Sequence, residues 1–436
     1  MKHTIKEVKL KNGARGLFVH VPDATVMNFR FLFRAGFRFA DPNVYEVAHL
    51  LEHMAFGKNS RHKNQTEFEN DFTQNGAYHN AYTSDNIVCY SAECADFEWE
   101  RILDLQLLSI AEPQFNEKEL QSELGNIKSE LTGYQNDYMR LLWPEVQIRI
   151  GEPVLTLTQR LKTLPNITLN DVWAHYKKTH TARNLRFVIA GNFSGRTARI
   201  LELLESAKFD EGIELPFPLD TYSNAAPELI SRADASNISF GFSFVLPRRL
   251  SSKESDAMGG LNHLLNGTMS SRIFGEARRK GLVYGIFSET QLGQQHASWD
   301  FGGEANPDTI EQLFNIITRE LKKVASGQID SDEVKANRSY ALGRLQMQGQ
   351  TVAQTGNFYS GRYVNYGEID DYDRMEERIN AISARSMQNI ATDFLKNGKL
   401  SLVAVGTKRD KKLIDDLGLK LEKLQQNVRG GGIISG

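Results

Sequence analysis

The chain is predicted to be α+β: two homologous α/β domains from an internal duplication, each a mainly antiparallel sheet packed with helices. Three observations predict this. Strand-like and helix-like stretches interleave along the chain. Their order in the first half returns in the second at an offset of about 209–215 residues. Between the halves, Pro216, Pro218 and Pro227 stand among Asp, Ser and Asn, which reads as a linker. The expected organisation is therefore residues 1–207, a linker over 208–228, and residues 229–436.

In order, residues 5–21 alternate and break at Asn12-Gly13, a β-hairpin signal. Residues 26–35 form a strand with Phe29, Phe31 and Phe33 on one face, ended by Gly36. A helix spans Val47 to Gly57, after the turn and capping signal Asp41-Pro42-Asn43. Residues 66–75 are helical; the stretch Gly76 to Asn86 and the strand Ile87-Val88-Cys89-Tyr90 follow. Residues 95–111 form a helix with Phe97, Ile102, Leu103, Leu105 and Leu108 among its apolar positions. A long helix runs from about Asn116, its N-cap, to about Thr132 and carries Glu119, Glu123 and Glu130. Residues 169–178 are helical, Leu185 to Gly191 form a buried strand, and a helix at about 195–207 closes the half.

The second half repeats this order. Asn237 to Phe244 echoes Asn28 to Phe33, Ile329 to Val334 echoes Phe115 to Leu120, and Leu402 to Gly406 echoes Phe187 to Gly191. At this offset Glu130 falls on Arg344. The tail Arg429 to Gly436 is glycine-rich, and flexibility is expected there.

Composition narrows the function class. A net charge of −2 gives no polyanion-binding surface, so no nucleic-acid partner is expected. No run approaches the ~18–20 apolar residues that span a bilayer, so no membrane role is expected. The N-terminus has no apolar segment of the secretory kind, and Glu7 argues against a transit peptide. Cys89 and Cys94 read as free, buried thiols. A cytoplasmic protein is expected.

The chemistry concentrates in His49-Leu50-Leu51-Glu52-His53. Residues four apart on a helix differ by about 40° in azimuth, so both imidazoles share a face and can bind one Zn²⁺. Glu52 stands about 60° round from His49, on the same side, where its carboxylate can act on a water at the metal. This is H-x-x-E-H, the reverse of H-E-x-x-H. Two His and a Glu can equally be a partly exposed helix face. The apolar flanks Val47, Ala48, Leu50, Leu51, Met54 and Phe56 weigh against that, because buried polar groups need partners. The second half has no such motif, so only the first half can carry this site. A catalytic zinc usually takes three protein ligands. Glu119, Glu123 and Glu130 share the long helix, and spacing alone does not choose among them. Seven of the other histidines, His20, His62, His79, His175, His180, His263 and His296, lack ligand spacing and read as surface or structural residues.

Over nearly its whole length the chain resembles the pitrilysin-type (inverzincin, M16, insulinase) zinc metallopeptidases, in particular their two-domain, processing-peptidase-like branch. The resemblance rests on Ala35 to Arg38, Ala48 to Phe56, Asn80-Ala81-Tyr82-Thr83, Glu123 with Glu130, Asn184 to Gly191, and Gly281-Leu282-Val283-Tyr284-Gly285. It implies His49, His53 and Glu130 as ligands of one Zn²⁺ per chain, Glu52 as the catalytic base, and Glu123 orienting a ligand. It also implies a substrate of peptide or unfolded segments, added as a strand beside Asn80 and Ala81. Tyr284 matches a tyrosine that, with an arginine, completes the site from the second domain type. That arginine normally stands seven residues before the tyrosine; here Ala277 occupies the place and Arg278 stands six before. Arg278 is the expected residue, with Arg279 next to it. The implied assembly is a dimer closing around a chamber: a homodimer, or a heterodimer with a sister chain. The function implied is zinc-dependent endopeptidase; the alternative is a non-catalytic scaffold or partner subunit on the same fold.

Overall fold

Paired strands with apolar faces generate two sheets. The computed structural model describes residues 1–430. Its strands are β1 (Thr4–Lys9), β2 (Arg15–His20), β3 (Val26–Phe33), β4 (Tyr78–Thr83), β5 (Val88–Ala95), β6 (Leu185–Gly191), β7 (Glu228–Ser231), β8 (Ile238–Leu246), β9 (Val283–Leu292), β10 (Ala297–Ala305) and β11 (Lys399–Gly406). The helices of the first half are α1 (Val47–Met54), α2 (Gln65–Thr73), α3 (Trp99–Ala111), α4 (Glu117–Tyr134), α5 (Tyr138–Ile150), α6 (Leu157–Thr163), α7 (Leu169–Thr179) and α8 (Thr197–Ser206). Those of the second are α9 (Ser252–Asn266), α10 (Arg272–Arg279), α11 (Ile310–Ala325), α12 (Ser331–Met347), α13 (Val352–Tyr366), α14 (Met375–Ala381), α15 (Ala384–Asn397) and α16 (Lys411–Arg429).

The first sheet runs β1-β2-β6-β3-β5-β4 and the second β7-β11-β8-β10-β9. With β1 set aside the two orders are the same. In each sheet one pair is parallel, β2 with β6 and β7 with β11, and the rest are antiparallel. The duplication read from the sequence is therefore a duplication of topology.

The compact units do not follow the contiguous halves. One comprises Met1–Gly133, Leu157–Pro218 and Gln346–Asp370; the other comprises Tyr134–Thr156, Leu219–Leu345 and the chain from Asp371 onward. The first half thus gives α5 to the second sheet, and the second half gives α13 to the first. The exchange corrects the expected boundaries 1–207 and 229–436 as limits of compact units. The reason lies in the strands. Every residue of β6 and β8 is buried, so each sheet must be covered on both faces. In the first unit Phe29, Phe31, Phe33, Phe187 and Ile189 enter a core with α3 and α8 on one face. On the other face lies α13, where a Cβ added to Gly356 would come 3.2 Å from the Ala190 Cβ. In the second unit Leu142 and Val146 of α5 pack on Val403 and Val405 of β11, and a Cβ at Gly241 would lie 2.5 Å from Leu142. Backbone this close leaves room only for small residues.

The expected linker is ordered. Glu214 pairs with Arg34 at 2.8 Å and Arg186 at 2.6 Å, and Leu215 is buried with its N–H on Asn184 Oδ1 at 3.2 Å. These contacts tie residues 208–218 to the first unit. Beyond them, the Ala225 N–H bonds Leu400 O in the second. Cys89 and Cys94 are free and buried, as expected. The long helix is capped by Asn116, whose Oδ1 accepts from the Glu119 N–H at 3.1 Å. Of the tail, Arg429 ends α16, and residues 431–436 lie outside the described residues.

Two of the unassigned histidines, both on or just after α7, stabilise the first core in their neutral form. His175 Nε2 bonds Ala35 O at 2.9 Å, and His180 stacks on Phe33 with its Nε2 2.9 Å from the Tyr90 hydroxyl. Burial pushes the His175 ring down to about 4 and His180 well below its ordinary value. The unfolded chain takes up a proton at His175 below ~6.5 that the folded chain refuses until about pH 4. Stability is thus complete above pH ~6.5 and falls as the pH drops toward 4. The loss is about 3 kcal/mol for His175. Urea midpoints from pH 7.5 to 4.5 are expected to decline, and His175→Gln, which can still donate to Ala35 O, to decline less steeply. Parallel slopes for the two proteins would refute this.

Candidate metal centre

Helix α1 is short, and its sequence explains its orientation. Ala48, Leu50, Leu51 and Met54 are buried in the first unit, which leaves His49 and His53 together on the more open side. The two rings are 4.7 Å apart and nearly perpendicular. The helix ends at Met54, one turn earlier than the sequence suggested, because Ala55 to Gly57 turn away.

Opposite the rings stands Glu130 of α4. Its Oε2 lies 3.8 Å from His49 Nε2 and 3.9 Å from His53 Nε2. One ligand atom from each of the three residues lies within 4.8 Å of the others, the only such group of His, Cys, Asp or Glu found among the described residues. The separations are too long for hydrogen bonds. They are close to the ~3.3 Å that tetrahedral coordination at ~2 Å would impose on two donors. Helix geometry also sorts the three acids that the sequence left open. Glu119 turns back to Asn116, whose Nδ2 donates to it at 2.8 Å. Glu123 accepts from His53 Nδ1 at 3.0 Å and from Asn126 at 3.1 Å. Only Glu130 reaches the inner nitrogens.

Both outer imidazole nitrogens therefore face carboxylates: His53 Nδ1 faces Glu123, and His49 Nδ1 faces Glu46 Oε2 at 3.1 Å. An Nδ1–H held in this way leaves the Nε2 lone pair free for a metal. The Glu46 carboxyl is fully buried and also held by Arg160 of α6. Burial acts against the charged form of Glu46, but bonding to His49 and Arg160 outweighs it and lowers its pKa below the ordinary value. Burial likewise acts against protonated His53, while Glu123, Glu52 and Glu130 outweigh it and raise the ring above its ordinary value. Sequence reasoning missed Glu46 and Arg160. Glu46 had a signal, three residues before His49 on the same face; Arg160, 114 residues away from Glu46, had none.

Glu52 belongs to the site without belonging to the trio. It is 8% exposed and accepts a 2.5 Å hydrogen bond from the Thr83 hydroxyl. Burial raises its pKa above the usual carboxylate range; Thr83 and both imidazoles pull against this, and Glu130 adds to it. Thr83 ends β4, so the same hydroxyl ties this acid to the outermost strand of the sheet. Asn80 and Ala81 lie on β4, which pairs only with β5 among the described residues. The stretch Gly76 to Asn86 is thus mostly a strand. In the second unit, the Arg278 guanidinium lies 4.5 Å over the ring of Tyr284, which is 86% exposed. Ala277 faces the core and is fully buried, so an arginine at that position would point inward. Arg279 turns to Met269 O instead.

Fold and site together define a two-domain α/β protein with a His/His/Glu group between two helices of its first unit. Two family models match in sequence: the insulinase model (peptidase family M16) over residues 17–149, and the peptidase M16 inactive domain over residues 166–340. The chain belongs to the M16 insulinase family of peptidases. It is 23% identical over 414 residues to a Rickettsia bellii protein named an uncharacterized zinc protease, covering 92% of this chain and 98% of that one. It is 21% identical over 405 residues to the beta subunit of the human mitochondrial-processing peptidase, covering 85% and 78%. Among solved structures, a protease from Helicobacter pylori superposes with a TM-score of 0.82 at 18% identity, covering 93% of this chain and all of that one. No helix among the described residues is long and apolar enough to cross a membrane.

Proposed function

We propose that this chain is a zinc-dependent endopeptidase that hydrolyses peptides or unfolded protein segments. The observation that carries this reading is the convergence of His49, His53 and Glu130, with Glu52 beside them and outside the trio. The donor set fits zinc: two imidazoles with anchored outer nitrogens and one carboxylate. Bound there, zinc would supply Lewis acidity toward water and the scissile carbonyl.

The rest falls to the chain. The open edge of β4 offers main-chain groups to an extended peptide, an interaction that asks little of the peptide's sequence. Glu52 takes a proton from the attacking water and passes it to the leaving amine, so that a C–O bond forms as the C–N bond breaks. A carboxyl whose pKa is raised by burial suits both transfers. Tyr284 and Arg278 are the donors assigned to the charge that develops on the carbonyl oxygen. One chain carries both sets of groups, which favours a homodimer over a pair of sister chains.

Metal analysis of the purified chain is expected to find about one zinc per chain. Cleavage of a quenched peptide should stop with a chelator and return with added zinc. A metal-free chain that binds peptide without cutting it would instead make the protein a scaffold.

A further inference from the structure

We infer that Glu46 and Arg160 form a positioning device for His49, and that zinc affinity depends on both residues. The inference rests on the metal reading above. Glu46 is fully buried, and both its oxygens are engaged: Oε2 faces His49 Nδ1 and Arg160 Nη2, each at 3.1 Å, and Oε1 accepts from Arg160 Nε. Arg160 thus presents two parallel donors to one carboxylate, an arrangement that fixes the carboxylate's plane as well as its distance. Its guanidinium is held in turn, 4.6 Å over the ring of Phe37. Phe37 stacks on Tyr45 at 4.9 Å with the rings 2° from parallel. The chain of contacts runs from two stacked rings through a cation and an anion to one imidazole.

Its counterpart at His53 is plainer. Glu123 is partly exposed, and its other partner is the Asn126 amide. The two imidazoles are therefore held unequally, His49 rigidly by a buried ion pair and His53 by a single carboxylate. A buried ion pair is weak support for stability but has a role where it fixes one geometry. Here the fixed geometry is the ring plane and tautomer of His49, with Nδ1 donating outward and Nε2 turned to Glu130.

Zinc affinity can be read by competition with a chromogenic chelator, and site geometry by the visible absorption of the Co²⁺-substituted protein. Glu46→Ala and Arg160→Met are each expected to weaken zinc binding roughly 10–100-fold and to shift the Co²⁺ bands. The double variant is expected to be no weaker than the worse single one, because the two act through one contact. Arg196→Met, which breaks a comparable pair with Asp96 in the same unit, serves as the control and should leave zinc affinity unchanged. If Glu46→Ala and Arg160→Met lower the melting temperature but leave zinc affinity at the wild-type value, the inference is overturned. Should Glu46→Ala fail to fold, Arg160→Lys keeps the charge, loses the fork and carries the same test. A wild-type protein that binds no zinc would defeat the functional reading itself, a result distinct from failure of this inference.

Discussion

Glu52→Gln is expected to keep its zinc and lose nearly all turnover. The side chain is buried and bonded to Thr83, and glutamine keeps its size and its ability to accept that bond. What glutamine cannot do is accept and return a proton. A positioned general base is worth roughly 10²–10⁴-fold in rate, so kcat should fall by about that much with KM little changed. Zinc content should hold because the ligand atoms proposed above come from His49, His53 and Glu130. The fold should hold too, since the exchange removes a buried charge that desolvation penalises. Two outcomes would reject the assignment. Turnover within a few-fold of wild type would mean that another group moves the proton. Loss of zinc would make Glu52 a ligand rather than a base.

What the sequence disclosed about this site follows the range of the interactions. The His49–Glu52–His53 face was legible because helical periodicity alone puts those residues together. Glu46 obeys the same periodicity, but a lone carboxylate one turn before a histidine looks like any solvated acid. Arg160 had no local mark at all, since only the packing of α6 on the segment before α1 brings it there. The fold shows the same division. Strand order repeats faithfully because each strand's apolar pattern is its own. The exchange of α5 and α13 was hidden, because an apolar helix face records that it is covered and not by which sheet. The apolar residues Phe187 to Ala190 of β6 marked a buried strand, and what they could not name was the helix that covers it. Pro144 inside α5 also masked that helix from a periodicity reading.

Glu130→Ala should be the most damaging single change to metal binding on α4, and the comparison with its neighbours is what gives the result meaning. Glu119, Glu123 and Glu130 sit on one helix at spacings that all permit approach to α1. The crossing of the two helices sends each to a different partner. Glu119 goes to Asn116, Glu123 to the outer nitrogen of His53, and Glu130 to both inner nitrogens. Structural zinc sites bind with roughly 10–16 kcal/mol across about four ligands, so one protein ligand is worth about 3–4 kcal/mol. Glu130→Ala should therefore weaken zinc binding roughly 10²–10³-fold and abolish peptide cleavage at limiting metal. Glu123→Ala removes an orienting carboxylate and should cost only about 10–100-fold, with activity recovered at excess zinc. Glu119→Ala should leave zinc affinity alone and lower stability modestly through the start of α4, where Asn116 loses a partner. The ordering, read by titrating each apo protein with zinc against a competing chelator, separates a ligand from its supports. If Glu123→Ala proves the worst of the three, the inner and outer carboxylates have been misassigned, and the trio around His49 and His53 would have to be redrawn with α4 shifted by two turns.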